Sequence, residues 1–85
     1  MKAFAEMTPD ELRDEKKAFA RRLGSRVREA RQNAKLSQEK LAALAGYHYT
    51  YIGNIENAVN LPSSHTVWRL ARAMGADPGD LMRNL

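Results

Sequence analysis

Apolar side chains along this chain recur at threes, fours and sevens, and no stretch alternates apolar and polar over five or six positions. That spacing predicts helices and argues against strands. Leu12, Phe19, Leu23, Val27, Ala30 and Ala34 form one stripe, which predicts a single long helix from Pro9 to about Ala34. Its start is well marked: Thr8 can cap, Pro9 suits the first helical position, and Glu11 completes a capping box. Gly24 costs such a helix about 1 kcal/mol relative to alanine, so it either interrupts the stripe or is carried within it; continuity is the expectation. Ser37 caps a second helix from Gln38 to Ala45, which Gly46 ends. A third runs from His48 or Tyr49 to Asn57. Ala58 to Ser64, with Pro62 and two serines, reads as a loop. Ser63 or Ser64 caps a fourth helix that buries Val67, Leu70, Ala71 and Met74 and closes at Gly75, and Asp77-Pro78 starts a short last helix through Leu81.

The resulting expectation is an all-α fold: five short helices on one small core, residues 21–85, with an N-terminal helical extension over residues 1–20. At 85 residues the chain fits one domain. A domain of that size buries only about 60% of its unfolded surface, which favours efficient packing or dimerisation.

The segment Gln38 to Asn57, QEKLAALAGYHYTYIGNIEN, carries the most information. Two short helices crossing steeply at a tight turn need apolar residues facing the remaining core, and Leu41, Ile52 and Ile55 stand there. They need a small residue at their closest approach, where Ala42 stands. They need a residue free to take positive φ at the turn, where Gly46 stands. Each feature is common alone, and together at these offsets they specify a helix-turn-helix.

Here the chain resembles the repressor and Cro (XRE-type) helix-turn-helix family of bacterial and phage transcription regulators. The resemblance runs without a gap from about Leu23 to Leu81. It includes Leu36-Ser37-Gln38-Glu39, Tyr51-Ile52, Ile55-Glu56, Pro62-Ser63 and Leu70-Ala71-Arg72-Ala73-Met74-Gly75. It implies a five-helix domain that binds double-stranded DNA as a homodimer on a pseudo-palindromic operator, with helix three in the major groove. It also implies that Arg31, late in helix one, pairs with Glu56 near the end of helix three and fixes that helix on its base.

With Ile52 and Ile55 turned inward, the opposite side of helix three carries Tyr49, Thr50, Gly53, Asn54 and Asn57. Asn54 can make two hydrogen bonds to an adenine edge, and Thr50 can meet a thymine methyl. His48 and Tyr49, at the helix start, complete the expected base-contacting set. Gln38 at the N-terminus of helix two, with Tyr51 and Asn57, is expected to hold phosphates, which positions the domain without specifying sequence. Tyr47 is expected to pack its ring on the scaffold. Gly53 stands in the middle of the outward side, where bare backbone would let the helix lie closer to a groove.

The chain departs from the family pattern in two places. Ala58 stands where a glycine is usual after helix three, which leaves Asn57 as the candidate left-handed residue. Asn54 replaces a frequent arginine, so helix three has no lysine or arginine of its own, and affinity falls to helix one, Lys35, Lys40 and the loop.

Charge sharpens this picture. The net charge is +4. Residues 1–20 hold four basic and five acidic side chains, whereas residues 21–85 hold ten and five, with Arg21, Arg22, Arg26, Arg28 and Arg31 close together. A basic domain suits a polyanion. The chain has no cysteine, and His48 and His65 are too few and too far apart for a metal site. No nucleophile–base pair or glycine-rich phosphate loop stands at mechanistic spacing, so neither enzymatic activity nor a cofactor is expected. Without an apolar run of about 20 residues or a signal peptide, no membrane association and a cytoplasmic location are expected. An alternative reading is an antitoxin that uses the same fold to bind a protein toxin through its N-terminal segment. Trp68, beside the buried Val67, is expected at the edge of the core, either as peripheral packing or as a dimer anchor.

Overall fold

A computed structural model describes residues 2–85, and its regular structure is helical throughout: α1 Pro9–Asn33, α2 Gln38–Ala45, α3 Tyr49–Glu56, α4 Ser64–Met74 and α5 Pro78–Met82, preceded by a 3-10 turn at Phe4–Glu6. The local chemistry sets each boundary. Thr8 and Glu11 close a reciprocal capping box at the start of α1, Glu11 N donating to Thr8 Oγ1 at 3.2 Å and Thr8 N to Glu11 Oε1 at 3.1 Å. Ser37, Ser63 and Asp77 cap α2, α4 and α5 through their side-chain oxygens. Gly46 and Gly75 close α2 and α4 at φ of 80° and 69°, backbone states that carry no steric cost only in glycine.

α1 is one unbroken helix through Gly24. This glycine is a packing requirement: a Cβ there would stand 2.5 Å from the Ile55 carbonyl oxygen and 2.8 Å from that of Glu56. The backbone of α3 therefore lies directly against α1, and the propensity cost read from the sequence is offset by that close approach.

Leu23, Val27, Leu41, Ile52, Ile55 and Leu70 are the largest fully buried side chains. Each contributes about 1.5–3 kcal/mol by leaving water. α1 and α3 supply two each and α2 and α4 one each, and α5 adds Leu81. Ala20 is the first buried residue along the chain, so the opening turns of α1 extend past the core. The molecule measures 41 × 23 × 19 Å; at 1.5 Å per residue α1 accounts for about 37 Å of the long dimension.

The end of α3 departs from expectation. Asn57 holds φ −91° and is not the left-handed residue. Ala58 takes that role at φ 62°. Asn57 still closes the helix, its N–H donating to Gly53 O, while its side-chain Oδ1 accepts from Arg28 at 3.0 Å. The reversal falls one residue later, where the N–H groups of Val59 and Asn60 both donate to Asn54 O.

Candidate nucleic-acid interface

α2 and α3 pack on each other through Leu41, Ala42, Ile52 and Ile55, all at most 2% exposed. The turn between them is held from α4. Arg69 Nε donates to Ala45 O at 3.1 Å, and its guanidinium lies 4.2 Å from the centre of the Tyr47 ring. The Tyr47 hydroxyl meets Thr66 Oγ1 at 2.9 Å. Tyr47 thus packs on the scaffold as expected. Arg69 was not singled out in the sequence, because its partners are main-chain carbonyls and a ring on another helix, and these leave no local pattern.

α3 is seated by a buried carboxylate. The Glu56 side chain has no exposure, and Arg31 grips it with both branches, Nε to Oε2 at 2.6 Å and Nη2 to Oε1 at 3.0 Å. Gln38 Nε2 and Arg28 Nε each reach Oε1 at 3.2 Å. Arg31 Nη1 also donates to Leu36 O at 2.9 Å. One carboxylate therefore joins α1, the start of α2 and the end of α3. Burial pushes the Glu56 carboxyl upward, but the hydrogen bonds from Arg31, Gln38 and Arg28 outweigh it and hold the group below its ordinary value of 4.5. Arg31 is raised in turn by its own hydrogen bonds to Glu56. Arg28 and Gln38 in this cluster are beyond what the family pairing implies.

With its apolar side and Glu56 committed inward, α3 turns Thr50 and Asn54 outward, and neither side chain has a hydrogen-bond partner among the described residues. Tyr49 is 53% exposed and stacks on His48 with ring centres 4.7 Å apart. His48 caps α3 unusually, its Nδ1 accepting from Thr50 N at 3.2 Å. An accepting Nδ1 places the ring proton on Nε2, which leaves a directed N–H donor at the mouth of the helix. His48, Tyr49 and Thr50 are exposed and Asn54 is half-buried, and together they form one outward strip.

The three residues expected at phosphates lie around this strip, in different states. Gln38 has one amide hydrogen engaged by Glu56, while its main chain still opens α2. Asn57 is exposed and bonded to Arg28. Tyr51 is half-buried, its ring 5.2 Å from that of Tyr47. Gly53 lies beside Gln38, and a Cβ there would stand 3.5 Å from Gln38 Oε1, an ordinary contact. Trp68, 48% exposed, stacks on His65 and lies under Arg72 at the edge of the core. No helix among the described residues is long and apolar enough to cross a membrane.

Known proteins of this architecture match the chain. The helix-turn-helix family profile HTH_3 covers residues 27–81. The control protein C.BamHI of Bacillus amyloliquefaciens is 37% identical over 60 residues, spanning 69% of this chain and 74% of that protein. The ImmF control region 10 kDa protein of Bacillus phage phi105 is 33% identical over 57 residues, spanning 67% and 63% respectively. Among solved structures, the restriction-modification controller protein C.AhdI from Aeromonas hydrophila superposes with a TM-score of 0.73 at 36% identity, over 75% of this chain and 97% of that one. The matched span holds the buried carboxylate, the α2–α3 turn and the outward strip of α3. The chain therefore belongs to the repressor and Cro (XRE-type) helix-turn-helix family of DNA-binding transcription regulators, and is not an enzyme.

Proposed function

We propose that this protein acts as a homodimer on a pseudo-palindromic operator, with α3 of each protomer in the major groove. The observation that carries this reading is the outward strip of α3. It offers side chains with free hydrogen-bonding groups on a helix whose opposite side is fixed by buried isoleucines and an ion pair. Rigid seating of this kind lets a short helix discriminate bases. In this reading Asn54 reads an adenine edge, Thr50 meets a thymine, and His48 and Tyr49 contact bases at the helix entrance. Gln38, Tyr51 and Asn57 hold phosphates and set the register. Two relatives are named as control proteins, one of them a controller of a restriction-modification system, which supports a regulatory role. Nothing in the fold or the relatives favours the toxin-binding alternative.

The second protomer has a natural seat. Leu61, Trp68 and Met82, each at least 40% exposed, flank a groove of about 400 Å³ between α4, α5 and the loop before α4. Covering it with a second copy removes the largest exposed aromatic ring from water, and aromatic anchors of this kind dominate interfaces.

Selection of bound duplexes from a randomised pool at low ionic strength tests the proposal. The expected product is a pair of inverted half-sites separated by a fixed number of base pairs, with centres near one helical turn, about 34–36 Å, or a multiple of it. Recovery of an unenriched pool would reject specific regulation, and enrichment of single half-sites would reject the dimer.

A further inference from the structure

α3 lacks lysine and arginine, yet a helix lying in a major groove has a phosphate wall on either side. One side of the outward strip is already furnished: Gln38 and Arg28 converge there on Glu56 Oε1, and Gly53 abuts Gln38. The other side is bounded by Tyr51, and what faces Tyr51 is the extension of α1. Arg13, Lys16 and Lys17 line an open groove of about 540 Å³ together with Tyr51, Val59 and Asn60, the last two in the loop that follows α3.

Helical spacing explains how these cations come to stand there. Arg13, Lys17, Ala20, Gly24 and Arg31 repeat at threes, fours and sevens, which is one side of α1. Its C-terminal part packs on α3 through Gly24 and Arg31, and Ala20 is buried where the core begins. The same side runs on past the core as a row of positive charges. Glu11 and Glu15 fall on the opposite side, and Glu11 is engaged by Lys2 and the Thr8 cap. Arg13 shares its charge with Asp10, whereas Lys16 and Lys17 have no ion-pair partner among the described residues. The family match begins only at residue 27, so this row is a property of the chain's own N-terminal segment.

We propose that the N-terminal extension of α1 is a second phosphate clamp, in which Lys16 and Lys17, with Arg13, hold the backbone strand that borders the Tyr51 side of α3. The inference rests on α3 lying in the groove as argued above. It accounts for two features together: a recognition helix without cations, and an α1 several turns longer than the core requires. Tyr51 and Asn60 complete the clamp as neutral hydrogen-bonding groups between the lysines and α3.

The clamp is tested on the full-length protein bound to its selected duplex, by the salt dependence of affinity. Each phosphate neutralised contributes about 0.9 to the slope of log K against log salt. Lys16→Gln/Lys17→Gln removes two lysines from each protomer of the dimer and is expected to lower that slope by about 3.6, to remove hydroxyl-radical protection at the outer phosphates of each half-site, and to leave unchanged the ratio of affinities for selected and scrambled duplexes. Arg21→Gln/Arg22→Gln removes the same charge from the part of α1 beside Leu85 and is expected to lower the slope by far less. Lys16→Arg/Lys17→Arg is expected to retain the wild-type slope. Equal losses from the two glutamine doubles would reduce the effect to net charge and overturn the clamp. So would an unchanged slope and footprint in Lys16→Gln/Lys17→Gln with specific binding intact, an outcome that leaves the placement of α3 standing. A wild-type protein with no preferred duplex would overturn both.

Discussion

Glu56 is the residue on which the geometry of the reading helix turns. Its carboxylate is buried and accepts from Arg31, Arg28 and Gln38, so its charge is compensated only while α1, α2 and α3 keep their places. Removing one partner of a buried pair costs about 3–5 kcal/mol. Arg31→Met leaves Arg28 and Gln38 behind, and the expected loss is therefore toward the lower end, about 3 kcal/mol, read as a fall in denaturation midpoint. An unchanged midpoint would show that the pair does not hold the fold. The pH dependence has a definite sign. The Glu56 carboxyl is held below its ordinary 4.5 in the folded protein, so its contribution is complete above that value and is lost as pH falls through the folded one. Comparing thermal melts of the wild type with Glu56→Gln, the stability advantage of the wild type should be constant from neutrality to about pH 4.5 and should shrink below it. A constant difference down to pH 3 would contradict the assignment. Arg31 and Glu56 were legible in the sequence through the family pairing. Arg28 and Gln38 were not legible in this role, because nothing local to either marks a carboxylate on another helix.

At the scale of elements, the caps and the apolar stripes were readable because each depends on residues within a turn or two of one another. Contacts between helices were harder to read, and the glycines show why. Gly24 registers in the sequence only as a propensity cost, since the backbone that requires it belongs to α3, about thirty residues away. Gly24→Ala gains helix propensity but drives a methyl group into two carbonyl oxygens, which must move, and overpacking of this kind typically costs about 1–3 kcal/mol. Ala58→Gly should act in the opposite direction. Ala58 holds φ 62° at the end of α3, a left-handed state that costs a non-glycine residue about 1–2 kcal/mol, and part of the relief is taken up by the greater freedom of glycine in the unfolded chain. Denaturant midpoints should therefore fall for Gly24→Ala and rise for Ala58→Gly. A fall in both would show that the backbone at Ala58 is not strained. The sequence pointed to a left-handed residue after α3 but placed it at Asn57. Asparagine tolerates that state better than alanine, yet its side chain is bonded to Arg28 and its N–H to Gly53 O, so the reversal passes to the next residue.

Across the whole molecule, a basic five-helix core and a long α1 share one purpose if the protein straddles a major groove. In this proposal the core supplies the reading helix, the groove beside Trp68 a seat for a second copy, and the extension cations where α3 has none. The core was legible because its pattern spans a contiguous two-thirds of the chain. The extension was not, since its net charge of −1 over residues 1–20 conceals a one-sided distribution that appears only once the helix is built. What unites these parts is the claim that the outward side of α3 reads base edges. Asn54→Ala tests it most directly, through affinities for the selected operator and for each of its single-base-pair substitutions. The predicted result is loss of preference at one base pair in each half-site, worth about 1–3 kcal/mol there, with the remaining positions discriminated as before. An equal loss of affinity for every sequence would contradict it, because Asn54 would then be contacting the backbone or merely supporting the fold.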